Sequence, residues 1–432
     1  MAKSRTPVEK ALENGAETRV EISVDIAGLM SEIEALAQIS EGDPPVVTRV
    51  VFSEADSRAR AYVKELCQAA GLAIREDAVG NTFARWEGRD PALAPVATGS
   101  HIDAIPNAGA YDGVVGVLGG LEAIRTLQRS GFRPNRSIEL IIFTSEEPTR
   151  FGIGCLGSRM MAGAISPEQA LVLQDKTGRG LDELRHSAGF TGDLAAVKLA
   201  AGDYNSFVEL HIEQGPLLER EGLGLGVVTH IAAPASLRIL IEGEGGHAGA
   251  MLMPDRHDAL AAGAELILAL ETAAKTTGAI DTVATVGVCE VFPGAVNSVP
   301  SRVRLETDVR DTDSARRDGV LTALKGAATE VAARRGVRIS FETVNADPPA
   351  TCDPAILAAL DASIVAAGRS ARRMVSRAYH DSLFMARIAP VAMLFIPCRG
   401  GVSHRPDEYA SPHWIEAGVD VLARTLARLA CQ

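Results

Sequence analysis

The order of apolar and polar positions predicts strands that alternate with helices in the first half of the chain. Apolar residues at helical spacing predict an amphipathic helix over residues 53–71, which ends at a glycine. Short apolar runs predict buried strands at residues 96–98 and 138–144, and a helical pattern lies between them. This alternation is typical of an α/β layered domain.

The middle of the chain has a different pattern. Its apolar runs predict four strands and two helices in the order β-α-β-β-α-β, which is the ferredoxin-like order. The predicted elements are residues 237–242, 257–275, 284–292, 301–310, 314–335 and 337–343. We therefore expect an inserted α+β domain at residues 229–346, between two parts of one α/β domain at residues 1–228 and 347–432.

The length and charge of the chain narrow the kinds of function that fit it. With 432 residues, the chain exceeds the size at which one hydrophobic core stops growing, so two domains are expected. Its 43 basic and 55 acidic residues give a formal net charge of −12. This charge argues against binding to nucleic acid or to an anionic membrane, because such surfaces need clustered Lys and Arg. We expect a small-molecule substrate instead.

The sequence favours a cytoplasmic location. The first twenty residues lack an apolar stretch of the length of a secretory signal, and no later stretch has the length of a transmembrane span. These first twenty residues are predicted to be disordered. The six cysteines lack C-x-x-C spacing, which argues against a disulfide framework and against a thiolate zinc site.

Polar residues follow both predicted strands of the first half. Residues 99–103 (GSHID) come after the first strand, and residues 145–147 (SEE) come after the second. Ligands of open α/β sheets bind beyond the carboxyl ends of strands, so chemistry is expected here. His101 and Asp103 share one side of an extended segment, where Asp103 would orient the imidazole toward a metal. A surface His-Asp pair is the alternative.

Five further residues are candidates for chemistry. Asp112 precedes the helical pattern and is either a metal ligand or a helix N-cap. Glu146 and Glu147 are adjacent carboxylates, which repel each other unless a cation or proton lies between them; a solvated loop pair is the alternative. With His101, His211 and His404, they supply the histidines and carboxylates from which two metal ions can be bound. Such a set suits zinc or manganese.

Seven segments, in this order, resemble the amidase/hydantoinase/carbamoylase branch of the M20 metallopeptidase family. They are GSHIDAIPNAGAYDG, TSEEPTRFGIGCLGSR, HIEQGPLLE, GGHAGAMLMP, PGAVNSVP, RAYHDSLFMARI and GGVSHRPDEY. The resemblance extends from about residue 50 to the last residue. It implies an α/β catalytic domain that holds two metal ions, with an inserted ferredoxin-like domain that serves as lid and dimerisation domain.

The resemblance also implies the roles of individual residues at the metal centre. Glu146 corresponds to the general base that takes a proton from the attacking water and later gives it to the leaving nitrogen. Asp103 corresponds to the residue that orients His101. The implied ligands of the first metal are His101, Asp112 and His211, and those of the second are Asp112, Glu147 and His404. The resemblance favours manganese, with zinc as the alternative.

Substrate-binding residues are implied as well. Arg310 and Asn297 resemble the pair that grips a substrate carboxylate, although an ion pair of Arg310 with Glu306 or Asp308 is the alternative. His247 resembles the lid histidine that reaches the site of the partner subunit in a homodimer and stabilises the oxyanion. The remaining residues expected to line the substrate pocket are Gln214, Tyr379, His380 and the backbone N–H groups of Gly400 and Gly401.

Within this branch, the chain is most similar to the ureidoglycolate amidohydrolases. The similarity is clearest in TSEEPTRFGI, VVTHIAAPASL, GHAGAMLMP and SRAYHDSLFMARI. It implies hydrolysis of the ureido C–N bond of (S)-ureidoglycolate, with Tyr379 as a partner for the substrate hydroxyl. Residues 398–401 (CRGG) instead resemble the carbamoylase-type turn. N-carbamoyl-L-amino-acid hydrolase and allantoate amidohydrolase are therefore alternatives, and a catalytically inactive dimeric binding protein is a remote one.

Overall fold

The computed structural model describes residues 22–432, which divide into two compact units. The predicted disorder of the first twenty residues lies outside these described residues. The first unit comprises residues up to 229 together with residues 351–374 and 380–432. The second comprises residues 230–350, where the sequence predicts the inserted domain, and also residues 375–379, which the sequence had placed in the catalytic domain.

The first unit is an α/β structure. Its helices are α1 (Ile26–Ala37), α2 (Glu54–Ala69), α3 (Val114–Arg129), α4 (Leu156–Met161), α5 (Pro167–Leu171), α6 (Leu181–Ser187) and α7 (Leu217–Glu221). The strands of this part of the chain are β1 (Val47–Arg49), β2 (Ala73–Glu76), β3 (Thr82–Trp86), β4 (Val96–His101), β5 (Ala104–Ala108), β6 (Ile138–Phe143), β7 (Ser206–Ile212) and β8 (Gly226–Ile231).

The rest of the chain forms the second unit and the last part of the first unit. The following strands are β9 (Ala233–Glu242), β10 (Gly246–His247), β11 (Val283–Phe292), β12 (Ser298–Val299), β13 (Arg302–Asp311), β14 (Arg338–Ala346), β15 (Ala350–Thr351), β16 (Arg372–Ser376) and β17 (Val391–Ile396). The following helices are α8 (Ala259–Thr276), α9 (Ser314–Arg335), α10 (Pro354–Ala366), α11 (Asp381–Met385) and α12 (Pro412–Ala430). In the described chain, no helix has the length and apolar character needed to cross a bilayer.

A nine-stranded sheet forms the centre of the first unit. Its order is β15-β8-β17-β7-β4-β6-β3-β2, and β16 also pairs with β8. The neighbouring pairs β17/β7, β7/β4 and β4/β6 are parallel. The strands in this middle part are buried along their whole length, which is expected for parallel strands covered on both faces.

Helix α3 packs closely on this sheet because it carries glycine at its contact points. A Cβ at Gly116 would lie 2.5 Å from the backbone oxygen of Leu210 in β7. Glycine therefore lets the helix backbone approach the strand backbone. The first residues of α3 and the turn before it are thereby held against the middle of the sheet.

The second unit has the β-α-β-β-α-β order predicted from the sequence. Its antiparallel sheet has the order β11-β13-β9-β14. Alternate residues of β9 and β13 point into a core that is completed by apolar residues of α8 and α9. Such alternation is the pattern of an antiparallel sheet with one covered face. A separate short ladder joins β10 to β12.

Candidate active site

Three parallel strands carry candidate ligands to one edge of the large sheet. His101 is the last residue of β4, and His211 lies near the end of β7. Glu146 and Glu147 follow β6. Because β4 pairs in parallel with both β6 and β7, the carboxyl ends of these strands lie at one edge.

The turn before α3 brings Asp112 to this same edge. Gly113 is the N-cap residue of α3 and has φ of 65°. A Cβ at Gly113 would lie 2.5 Å from Nε2 of His101. Both the backbone conformation and the lack of space require glycine at this position. The carboxylate of Asp112, which is 8% exposed, is thereby placed beside the imidazole of His101.

The two oxygens of Asp112 face different partners. Its Oδ1 lies 3.2 Å from Nε2 of His211 and 3.9 Å from Nε2 of His101. Its Oδ2 lies 3.1 Å from Nε2 of His404, which in turn lies 3.2 Å from Oε1 of Glu147. Asp112 therefore belongs to two groups of ligand atoms, and within each group the atoms lie within 4.8 Å of one another.

The pKa values of the residues in the two groups show that the carboxylates stabilise positive charge. Burial disfavours the charged form of Asp112, but the neighbouring imidazoles of His211 and His404 outweigh burial and hold the pKa of its carboxyl well below the ordinary value. Burial lowers the pKa of His211, yet Asp112 raises it to about 9. Asp112 and Glu147 raise the pKa of His404 to about 10. The carboxylates thus draw positive charge into this site.

The donor set fits divalent metal ions. Its ligand atoms are imidazole nitrogens and carboxylate oxygens, which zinc and manganese both accept. Among the described residues, none donates a hydrogen bond to the buried Oδ1 of Asp112. The Nδ1 atoms of His101 and His211 lie 3.0 and 2.9 Å from the backbone oxygens of Asp103 and Ile212. Nδ1 therefore donates, which leaves Nε2 to bind a metal.

A third group of ligand atoms is less suited to a metal. It consists of Glu209, His211 and His380. The carboxylate of Glu209 accepts hydrogen bonds from the hydroxyls of Ser100 and Ser382. Its oxygens are therefore already paired, in contrast to Oδ1 of Asp112.

Glu146 is a buried carboxylate beside both metal groups. It is 8% exposed, and its Oε2 lies 3.7 Å from Nε2 of His101. Its Oε1 accepts a hydrogen bond from the thiol of Cys155 at 3.5 Å. Burial, followed by the charges of Glu147 and Asp381, raises the pKa of Glu146 well above its ordinary value. These surroundings therefore favour the protonated form of the Glu146 carboxyl.

Asp103 differs in one respect from the sequence expectation. Its carboxylate was expected to accept the imidazole N–H of His101, but Oδ1 lies 3.8 Å from Nδ1. The backbone oxygen of Asp103 accepts that hydrogen bond instead. The carboxylate accepts the backbone N–H groups of Glu146 at 3.2 Å and Glu147 at 3.1 Å. Asp103 thus fixes one ligand through its backbone and the glutamate pair through its side chain.

Backbone strain is concentrated at this site. In residues 22–432, six non-glycine residues have positive φ, and four of them contact or neighbour the candidate ligands. These four are Ser145, Cys155, Gln214 and His404. Such conformations cost about 1–3 kcal/mol each and persist where the surrounding structure holds them. The composition of these segments gives no signal for them, because none of the four is a glycine.

Two predicted substrate residues of the first unit lie beside the metal groups. Gln214 donates a hydrogen bond from Nε2 to Oδ2 of Asp112 at 2.7 Å. The ring of His380 is buried, and its centroid lies 4.4 Å from that of His211. Both side chains are therefore within reach of a molecule bound at Asp112.

The backbone N–H groups predicted to line the pocket are already hydrogen-bonded. Gly400 donates to Oε2 of Glu219 at 2.6 Å, and Gly401 donates to the backbone oxygen of Cys398 at 3.0 Å. A substrate would have to replace these bonds in order to bind either group, and the place of both groups in the pocket stays a prediction. Residues 399–401 form a short helical turn, which consumes the N–H of Gly401.

The remaining predicted residues belong to the second unit. His247 is exposed at the end of β10, and its Nδ1 accepts the backbone N–H of Gly249 at 3.1 Å. Asn297 is also exposed, and its backbone oxygen accepts the N–H of Ala248 at 2.8 Å. This bond and the ladder between β10 and β12 keep His247 and Asn297 close together.

Arg310 forms the ion pair that the sequence left as an alternative. Its Nε and Nη2 donate to the two carboxylate oxygens of Asp308 at 2.8 and 3.0 Å. Its guanidinium carbon lies 5.3 Å from the centroid of the Tyr379 ring. The pair with Asp308 and the ring of Tyr379 hold the guanidinium in one orientation, and its Nε and Nη2 are occupied by Asp308.

A family comparison agrees with the resemblance stated from the sequence motifs. Residues 97–428 match the profile of peptidase family M20/M25/M40. The chain belongs to the M20 peptidase family. The mixed α/β fold described above is therefore an M20 fold, as predicted.

Three relatives show where the chain stands within the M20 family. A ureidoglycolate hydrolase from Arabidopsis thaliana is 53% identical over 94% of this chain and 87% of that protein. An N-carbamoyl-L-amino acid amidohydrolase from Geobacillus stearothermophilus is 37% identical over 93% of this chain and 98% of that protein. A crystal structure of AtUAH in complex with (S)-hydroxyglycine has a TM-score of 0.88 at 52% identity, and covers 95% of this chain and 99% of that chain.

The structure of this M20 chain also shows polar residues that the sequence interpretation missed. The hydroxyl of Ser403 lies 2.8 Å from Oδ2 of Asp112 and 2.7 Å from Oε2 of Glu408. Both residues lie in the segment GGVSHRPDEY, which had been singled out only for His404. Their place in a segment that carries a candidate ligand was the available signal.

Proposed function

We propose that this protein hydrolyses the ureido C–N bond of (S)-ureidoglycolate and yields glyoxylate, ammonia and carbon dioxide. The observation that carries the proposal is the 53% identity, over 94% of the chain, with a ureidoglycolate hydrolase. The lower identity of 37% with an N-carbamoyl-L-amino acid amidohydrolase makes that activity the second candidate. The complex of AtUAH with (S)-hydroxyglycine supports the proposed bond, because hydroxyglycine is the amine that this cleavage releases.

Two divalent metal ions would occupy the two groups that share Asp112. The first would be held by His101, Asp112 and His211, and the second by Asp112, Glu147 and His404. We favour Mn²⁺, with Zn²⁺ as the alternative, because this donor set suits both. Bound ions of this kind polarise a carbonyl oxygen and lower the pKa of water, which supplies a nucleophile near neutral pH.

Glu146 is proposed to transfer the proton. Its carboxylate takes a proton from the attacking water and delivers it to the nitrogen that leaves as hydroxyglycine. The buried surroundings and the charge of Glu147 favour the protonated form of Glu146 after the first transfer. Asp103 holds the backbone of both glutamates and so keeps the proton donor in place.

Residues of the second unit are proposed to bind the two ends of the substrate. Arg310 and Asn297 would bind the carboxylate, and Tyr379 the hydroxyl, as the resemblance implies. His247 would stabilise the negative charge that develops on the carbonyl oxygen. Its Nδ1 accepts the N–H of Gly249, so in the neutral ring the proton resides on Nε2. His247 is thus a hydrogen-bond donor at its exposed end, as an oxyanion requires.

We further propose that the protein is a homodimer in which His247 serves the site of the partner subunit. A mixture of Glu146→Gln and His247→Ala subunits tests this arrangement. Each homodimer is expected to be nearly inactive, because loss of an oxyanion donor alone costs about 10²- to 10³-fold. In a mixed dimer, one site combines Glu146 of one chain with His247 of the other. Random mixing should therefore restore about a quarter of wild-type activity.

The control for mixing is a pair in which both substitutions lie on the same chain. When double-variant subunits are mixed with wild type, the mixed dimers should be inactive. The activity should therefore be only that of the wild-type dimers present. If the two single variants stay inactive after subunit exchange, His247 does not act across the dimer. Sedimentation of the mixture as monomers would contradict the homodimer itself.

The substrate is decided by comparing three compounds on Mn²⁺-loaded protein. (S)-ureidoglycolate is expected to be hydrolysed faster than allantoate or an N-carbamoyl-L-amino acid, by about 10- to 100-fold if one buried polar contact of about 1–3 kcal/mol discriminates. The readout for all three compounds is the rate of ammonia release. For (S)-ureidoglycolate, two ammonia per glyoxylate are expected. Turnover of the carbamoyl amino acid alone would contradict the substrate proposal and would favour the carbamoylase-type turn at residues 398–401 as the guide to specificity.

A further inference from the structure

Glu408 is a buried carboxylate that has no part in the proposed reaction. It is 5% exposed. Its Oε1 accepts the backbone N–H groups of Tyr111 at 2.8 Å and Asp112 at 3.1 Å. Its Oε2 lies 2.7 Å from the hydroxyl of Ser403. All of its hydrogen-bond partners therefore belong to segments that carry proposed metal ligands.

These contacts join two segments that are far apart in the chain. One segment is the turn that contains Asp112, and the other contains Ser403 and the adjacent His404. The hydroxyl of Ser403 also lies 2.8 Å from Oδ2 of Asp112, the oxygen that faces His404. A single carboxylate thus fixes the backbone of Asp112 and, through Ser403, the side-chain oxygen that faces the second metal group.

The surroundings of Glu408 are shaped to admit its side chain. A Cβ at Gly109 would lie 2.3 Å from the Cβ of Glu408, so only glycine leaves room for it. The ring of Tyr409 packs edge-on against the ring of Tyr111, with centroids 5.9 Å apart. The guanidinium carbon of Arg399 lies over the ring of Tyr409, 4.7 Å from its centroid. These contacts hold residues 408–409 in place beside the turn that contains Tyr111.

The two metal groups are supported differently. In the first group, His101 and His211 are each oriented by a backbone carbonyl. In the second group, the side chain of His404 is 46% exposed and its backbone has φ of 59°. The geometry of the second group therefore depends more on contacts from other parts of the chain.

We propose that Glu408 is a positioning residue for the second metal group, where it holds Asp112 and His404 in the geometry that binds the ion. This proposal rests on the metal-dependent function proposed above. Groups that orient metal ligands in this way are worth about 10- to 100-fold in metal affinity. Because Asp112 belongs to both groups, loss of Glu408 should weaken the binding of both ions, but the ion of the second group more strongly than that of the first.

Three substitutions and a control test the proposal. Glu408→Ala removes the carboxylate, and Ser403→Ala removes only its link to Asp112. In Glu408→Gln, the amide oxygen still accepts both backbone N–H groups and the NH₂ group donates to Ser403, so this variant should rescue binding. Asp353→Ala is the control, because Asp353 also accepts two backbone N–H groups in the first unit, at the start of α10.

Metal-free protein is titrated with Mn²⁺, and bound metal is followed by calorimetry and by elemental analysis. Wild type, Glu408→Gln and Asp353→Ala are expected to bind two ions with matching affinities. Glu408→Ala and Ser403→Ala are expected to bind one ion about 10- to 100-fold more weakly and to show a clearly smaller loss for the other. Far-UV circular dichroism records whether each variant folds. If Glu408→Ala does not fold, Ser403→Ala decides the outcome.

Four outcomes would overturn the proposal. Two ions bound normally by Glu408→Ala, or by Ser403→Ala where that variant decides, would show that the contacts do not set the site. Equal weakening of both ions would indicate a general structural role, and so would the same pattern in Asp353→Ala. If wild-type protein bound no ion, the metal-dependent function would be wrong as well. If wild-type protein bound two ions, the other outcomes would contradict only this inference.

Discussion

Replacement of Glu146 by Gln is expected to lower kcat for (S)-ureidoglycolate by about 10²- to 10⁴-fold, the contribution typical of a general acid and base. The amide has nearly the same shape as the carboxylate, but it cannot accept a proton from water or give one to the leaving nitrogen. Glu146 is not a member of either group of metal ligands. The variant should therefore bind as much metal as wild type while losing turnover.

The measurement is the initial rate of ammonia release, with metal content determined on the same sample. Because (S)-ureidoglycolate also decays without enzyme, the rate measured without protein is subtracted. Glu65→Gln is a matched control, because Glu65 is an exposed glutamate of α2 and its substitution should leave kcat unchanged. Wild-type kcat in Glu146→Gln would mean that another group transfers the proton.

Replacement of Asp112 by Ala is expected to remove both metal ions and to abolish measurable turnover. Asp112 is the residue common to both groups, and its two oxygens face different histidines. Metal ions contribute several kcal/mol to such hydrolyses, and about 4 kcal/mol corresponds to about 10³-fold in rate. The loss of turnover should therefore be about 10³-fold or more, which is similar to the loss expected for the Glu146 variant.

Single-group variants make this result specific. His101→Ala should weaken only the first ion, and His404→Ala only the second, whereas Asp112→Ala should weaken both. Elemental analysis after dialysis against a low concentration of chelator measures the three metal contents. An Asp112→Ala protein that keeps one ion at wild-type affinity would show that Asp112 does not bridge the two groups.

Much of the fold was predictable because it follows from local periodicity. The middle segment alternates apolar and polar residues along β9 and β13, and this pattern predicted the β-α-β-β-α-β order without further information. The position of His101 and Glu146 at the ends of buried strands was predictable for the same reason. Residues 375–379 were assigned to the wrong unit, since a short segment has no periodicity from which to judge its contacts.

The contacts inside the site were less predictable than its residues. The carboxylate of Asp103 was expected at His101, but it lies at the backbone of Glu146 and Glu147, because the chain after β4 places a carbonyl oxygen nearer to the imidazole. The N–H groups of Gly400 and Gly401 are used by hydrogen bonds that arise from a turn and a distant glutamate. Side-chain spacing along the sequence does not encode such pairings.

The separation of the ligands along the chain determines the order in which the ribosome supplies them. His101, Asp112 and His211 are all synthesised before the second unit begins at residue 230, whereas His404 follows that unit. A nascent chain therefore contains every ligand of the first group well before the second group can be completed. Glu408, which links Asp112 to the segment of His404, is also synthesised late, so the second group can be assembled only after almost the whole chain has been made.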